Sequence, residues 1–106
     1  MAKEIVVSIP HDLTRQEAAS RVRGGLDHLV ALIKGYVQVE QGEWANDSIH
    51  LSLRAFGQGF AATIIVEDHQ VTIKGTVPLI LSAFAEPARK FVEQRGALLL
   101  EKPGRS

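Results

Sequence analysis

The chain has 106 residues, 45% of them apolar and 23% charged, with 12 basic residues balancing 12 acidic ones and no cysteine. This composition describes one compact domain and excludes a disordered chain, and zero net charge removes bulk attraction to nucleic acid. The missing cysteine excludes disulfides, cysteine-ligated zinc and a thiol nucleophile.

The opening MAKEIVVSIPHD lacks the apolar core and cleavage site of a secretory signal. No run approaches the roughly 20 apolar residues of a membrane span, so a cytoplasmic location is expected. Ile5, Val7 and Ile9 alternate with Glu4, Val6 and Ser8. That pattern predicts a strand with one face inward, ended by Pro10. Thr14 and Glu17 have the spacing of a capping box. The helix they start is expected to reach about Lys34, burying Ala18, Val22, Leu26, Leu29 and Ile33. Gly24-Gly25 within it costs roughly 1 kcal/mol per glycine against alanine, which implies close packing on the sheet. Gly35 is the expected C-terminal cap.

From Tyr36 to Val77 the pattern changes to strands. Asn46-Asp47 is a turn candidate that sets Trp44 opposite Ile49. Val37 and Val39 are out of phase with Trp44, and a bulge near Gly42 restores the phase. Gly57-Gln58 is expected as the centre of a type II′ turn. Phe56 then faces Gly59, Ala55 faces Phe60, Leu53 faces Ala62, Leu51 faces Ile64 and Ile49 faces Val66. These pairs form one apolar face, while His50, Ser52, Arg54, Thr63 and Ile65 fall on the other. A turn at Asp68-His69 pairs Val66 with Val71 and Ile64 with Ile73.

Pro78 is expected to open a second helix, with Leu81, Phe84, Ala88, Phe91 and Val92 or Arg95 inward. Pro87 should kink or split it, and Gly96 should end it. Leu98-Leu99-Leu100 would then extend along the domain edge. The order β-α-β-β-β-β-α predicts an α+β two-layer sandwich, an antiparallel sheet with both helices on one face. Residues 1–101 form the single domain, and 102–106 form a flexible tail.

Little in the chain points to catalysis. Gly57-Gln58-Gly59 as a phosphate loop requires a following helix, and FAATIIVED is a strand, so the turn reading wins. His11, His28, His50 and His69 show no metal spacing. Asp47 with His50, or His11 with Asp12, is a conceivable base-orienter pair, but solvated surface residues are the plainer reading. His11 stands out slightly, in a loop after a strand, where local hydrogen bonding ahead of the helix is its expected role. No serine lies in a nucleophile elbow. The element order invites comparison with duplex-RNA-binding domains, but the last helix has no positive charge before Arg89. No cofactor is expected.

Residues 77–85 are apolar on nearly every side, and one helix face cannot bury Leu79, Ile80 and Ala83 together. Either other segments cover them or they form a patch for a partner. The uncovered sheet face, with Arg54, Phe56 and Ile65, is a second such surface.

The segments "IVVSIPHDLTRQEAASRV", "DSIHLSLRAFGQGFAATIIVEDHQV" after Trp44, and "VPLILSAFAEPARKFVEQRGALLLEK" together resemble the small bacterial polyhydroxyalkanoic acid system proteins of polyester-granule gene regions. The likeness covers almost the whole chain. Pro87 departs from it, because the family usually continues this helix with charged residues. The resemblance implies a link to polyester storage and brings no catalytic residues. A polyester synthase uses a cysteine and a hydrolase-type depolymerase an elbow serine, and this chain has neither. The expectation is a non-enzymatic accessory protein that binds polyester granules, a granule-associated protein or a second copy of itself. The candidate contact residues are Leu79, Ile80, Ala83, Phe56, Arg54 and Ile65. The alternative is a small-molecule or catalytic site between helix and sheet near His11 and Trp44, and the third is RNA binding.

Overall fold

A five-stranded antiparallel sheet has the order β1-β5-β4-β3-β2, and two helices pack on one of its faces. A computed structural model describes residues 2–101, except the side chains of Ala2 and Ile80. The tail expected at 102–106 lies outside the described residues. The elements are β1 (Ala2–Pro10), α1 (Arg15–Ile33), β2 (Gln38–Gln41), β3 (Ser48–Ala55), β4 (Gln58–Val66), β5 (Gln70–Pro78), a 3₁₀ segment (Leu79–Phe84) and α2 (Ala85–Leu99). The α+β sandwich expected from the residue pattern is the observed fold.

β1 and β2 are the two sheet edges, so α1 carries the chain from one edge to the other. Its 19 residues span about 28 Å at about 1.5 Å each, enough to cross five strands spaced about 4.8 Å apart. The capping box is formed: Thr14 Oγ1 accepts from the Glu17 amide at 3.1 Å, and Glu17 Oε1 accepts from the Thr14 amide at 3.2 Å. Ala18, Ala19, Val22 and Leu26 are buried.

Two helix-glycine expectations change. Gly35 is not a left-handed cap, because Lys34 closes the helix in right-handed geometry and the Tyr36 and Val37 amides both bond to the Ile33 carbonyl. Gly25 packs closely, but on Leu99 of α2 rather than on the sheet. Gly24 faces open space. Gly24→Ala should therefore raise stability by about 0.5–1 kcal/mol through helix propensity, which thermal unfolding will read as a higher midpoint.

The hairpins use the expected faces. Val66 pairs with Val71 and Ile64 with Ile73. Asn46 and Asp47 both have positive φ, 52° and 67°, as a type I′ turn needs. Ala45 bridges Ser48, whereas Gln41 pairs with Leu51, so three residues from Gly42 to Trp44 oppose two. This is the bulge expected near Gly42. The β3–β4 register differs from expectation by two residues: Ala55 pairs with Gln58, Leu53 with Phe60, and Arg54 rather than Phe56 opposes Gly59. The central turn residues are Phe56 (φ 55°) and Gly57 (φ 73°), a type I′ rather than a type II′ turn. A shift of two keeps every side chain on its face, so alternation cannot detect it.

Pro78 ends β5 and stands directly before the 3₁₀ segment. Pro87 lies in the first turn of α2, where a missing amide costs no intrahelical bond. Gly96 does not end the helix, which runs to Leu99, with the Leu100 amide bonding back to the Gly96 carbonyl. The three-residue turns of the 3₁₀ segment also shift the helical phase. The inward residues are Ala85, Val92, Gly96 and the buried Leu100, while Phe84, Ala88 and Phe91, expected inside, are exposed. Arg21 donates to the carbonyls of Leu99 (3.2 Å) and Glu101 (2.6 Å), tying α1 to the end of α2.

The buried core lies at the β4–β5-turn end and includes Val7, Ile9, Ile49, Ile64, Val66 and Val71. Towards the β3–β4 turn the inward residues Ile5, Leu53, Ala62 and Ile73 are only half-buried.

Candidate functional site

Four of the six residues expected at a partner surface fall at one end of the molecule or next to it. β4 starts at Gln58, and β5 runs antiparallel to it with Thr76 opposite Ala61. The Phe56-Gly57 turn and Leu79 therefore leave the sheet at the same end. Phe56 is 81% and Leu79 62% exposed, and Ala83 is exposed on the same 3₁₀ segment. Arg54 lies on the open sheet face beside this end, opposite Gly59. Ile65 sits apart, half-buried between Ser48 and Thr72. The Ile80 side chain lies outside the described residues.

The structure adds Phe84, 60% exposed at the close of the 3₁₀ segment. Sequence spacing places it in the core because α-helical periodicity is applied from Pro78 onward, where the chain forms a 3₁₀ segment instead. Phe56 carries a second signal. Positive φ is strained for a bulky side chain, at roughly 1–3 kcal/mol, and such strain concentrates at functional positions. The ring gains no packing in return.

The histidines have local partners. His11 is 6% exposed. Its Nδ1 accepts from the Leu13 amide at 3.1 Å, and its Nε2 donates to the Glu67 carbonyl at 2.9 Å. Its own amide donates to the His69 carbonyl at 3.0 Å. Both ring nitrogens are thus committed to backbone. His50 pairs across the strands with Thr63 Oγ1 at 2.8 Å. Asp47 lies 4.0 Å from Arg15 and from Arg23, whose guanidinium stacks 5.0 Å over Trp44. Neither Asp47–His50 nor His11–Asp12 forms a hydrogen-bonded pair among the described residues. No group of three metal-type side chains comes together among them either.

The Gln70 amide and the Thr72 hydroxyl each donate to Glu67 Oε1 at 2.9 Å and hold its carboxyl below the usual carboxylate range. Stability from this cluster is present above the unfolded carboxylate value and is lost as pH falls through the lowered one. Arg89, the first cation of α2, is engaged by Glu86 at 3.0 Å and Glu93 at 3.5 Å.

A groove of about 190 Å³ opens between α1, α2 and the sheet. Leu29 and Leu32 of α1, Phe91 of α2 and Ile73 of β5 line it, with His28 and Arg95 also contributing. Neither His11 nor Trp44 lines it, so the hollow between helix and sheet lies away from the place the sequence suggested. Among the described residues no helix is long and apolar enough to cross a membrane.

A family of polyhydroxyalkanoic acid system proteins matches residues 5–98 of the chain. No curated protein matches it. Among solved structures, a truncated norcoclaurine synthase from Thalictrum flavum is similar at 14% identity and a TM-score of 0.48, covering 97% of this chain and 96% of that one. The protein TTHA0849 from Thermus thermophilus is similar at 12% identity and a TM-score of 0.33, covering 94% of this chain and 92% of that one.

Proposed function

The chain belongs to the polyhydroxyalkanoic acid system protein family, and from that premise we propose a non-enzymatic accessory protein that attaches to polyester granules or to a granule-bound protein. The observation that carries this reading is the exposure of Phe56 and Leu79 where the chain leaves the sheet at one end, with Phe84 exposed at the close of the 3₁₀ segment that follows. Burying three such side chains contributes roughly 1.5–3 kcal/mol each, a useful fraction of a docking energy. A polyester surface is apolar and carries no fixed charge, so it suits a site built from aromatic and aliphatic groups. Arg54, beside this end on the open sheet face, is placed to meet a polar rim. No cofactor enters this role, and its setting is the cytoplasm.

Fractionation of cells that accumulate polyester tests the proposal. The wild-type protein should sediment with granules. A Leu79→Ser/Phe84→Ser double variant should move to the soluble fraction with its unfolding free energy within about 0.5 kcal/mol of wild type, because both side chains face solvent. A wild-type protein that remains wholly soluble, or a double variant that still sediments, refutes the assignment.

A further inference from the structure

The groove between the helices is separate from the surface just described, and its chemistry is asymmetric. At one end α1 and α2 are held together by Gly25 against Leu99 and by Arg21 on the carbonyls of Leu99 and, just past α2, Glu101. Beyond that contact, Leu29 and Leu32 on one side and Phe91 on the other flank the half-buried Ile73, with the buried Ile64 beneath. The groove is open to solvent on one side, so an apolar guest seated in it takes apolar lining out of water and adds dispersion contacts. The ionisable groups in the lining are His28 and Arg95, and no carboxylate is among them. The Arg95 guanidinium lies 5.4 Å from the centre of the Phe91 ring, and Arg95 joins none of the ion pairs among the described residues. Asp27, next to His28 on α1, is exposed and does not line the groove.

An apolar hollow with one uncommitted cation fits a guest with an aliphatic tail and an anionic head. We propose that this groove binds a free medium-chain aliphatic carboxylate of about eight carbons, with its tail over Ile73 and its carboxylate at Arg95. Size sets the chain length. A cavity of about 150 Å³ accepts a six-carbon ring, so about 190 Å³ holds roughly eight carbons. The site shares no residue with Phe56, Leu79 or Phe84, so it stands or falls independently of granule attachment.

Titration of the full chain with octanoate, followed by amide chemical shifts and calorimetry, tests the site. Octanoate should perturb Leu29, Phe91 and Val92. Butyrate should bind on the order of a hundredfold more weakly, from about fourfold per methylene removed. Arg95→Gln should weaken octanoate about tenfold and leave octanol unchanged, and Arg95→Lys should recover most of the loss. Leu29→Trp, which fills the groove, should abolish binding. Arg95 is exposed, so its variants keep the test valid even if Leu29→Trp fails to fold. Absence of octanoate binding at millimolar concentration, shifts confined to other surfaces, or equal affinity in wild type and Arg95→Gln would each overturn the proposal.

Discussion

Replacing His11 by alanine is expected to lower the unfolding free energy by about 2–4 kcal/mol, since the buried Leu13 amide loses its partner at roughly 1–3 kcal/mol and the part-buried Glu67 carbonyl loses its own at roughly 1 kcal/mol. The ring ties two segments together and the His11 backbone reaches a third. Nδ1 holds the Leu13 amide just before α1, Nε2 holds the Glu67 carbonyl at the end of β4, and the His11 amide reaches the His69 carbonyl in the β4–β5 turn. Because the Leu13 amide must donate, Nδ1 is the acceptor and the ring proton sits on Nε2. His11→Asn is the discriminating control. Its side-chain oxygen can replace Nδ1 towards Leu13, but its reach is too short for Glu67, so an intermediate loss is expected. Urea unfolding followed through Trp44, the single tryptophan, should show a lower midpoint at an unchanged slope. A loss below about 0.5 kcal/mol for the alanine variant would remove His11 from its structural role.

Gly96→Val is expected to cost about 1–3 kcal/mol by overpacking. A Cβ at Gly96 would run into Cδ1 of Ile9, a side chain already buried in the core. Either the end of the Ile9 side chain turns aside into the neighbouring groove or α2 lifts from β1. Helix propensity works the other way, since alanine gains up to about 1 kcal/mol over glycine in a helix interior. Gly96→Ala should therefore still lose stability, but less than Gly96→Val. The contrast with Gly24→Ala, which faces open space and should stabilise, isolates the packing effect from propensity. Equal responses at Gly24 and Gly96 in thermal unfolding would show that α2 does not seat on β1 as described.

Strain at Phe56 and exposure at Leu79 and Phe84 belong to one argument. Each is a local cost or an unused apolar area that folding alone does not explain. Leu79 was visible in the chain because one helix face could not hold every apolar residue of 77–85. Phe84 was not, because its exposure depends on where the 3₁₀ segment gives way to α2.

Alternation of side chains determined which residues of each strand face the helices, and the Thr14–Glu17 pair determined where α1 begins. Both are local signals, one with a period of two residues and one with a reach of three, so no distant contact was needed to read them. The turns at Asn46-Asp47 and Asp68-His69 were equally local. The β3–β4 register was not, because registers two residues apart bury identical faces and only the paired backbone tells them apart. The rotation of α2 was decided by the 3₁₀ segment ahead of it and by the seating of Gly96 on Ile9, a contact across most of the chain. The groove exists only as the space that α1, α2 and the sheet leave unfilled. No residue encodes that space by itself; it follows from how far α1 and α2 separate beyond Gly25 and Leu99.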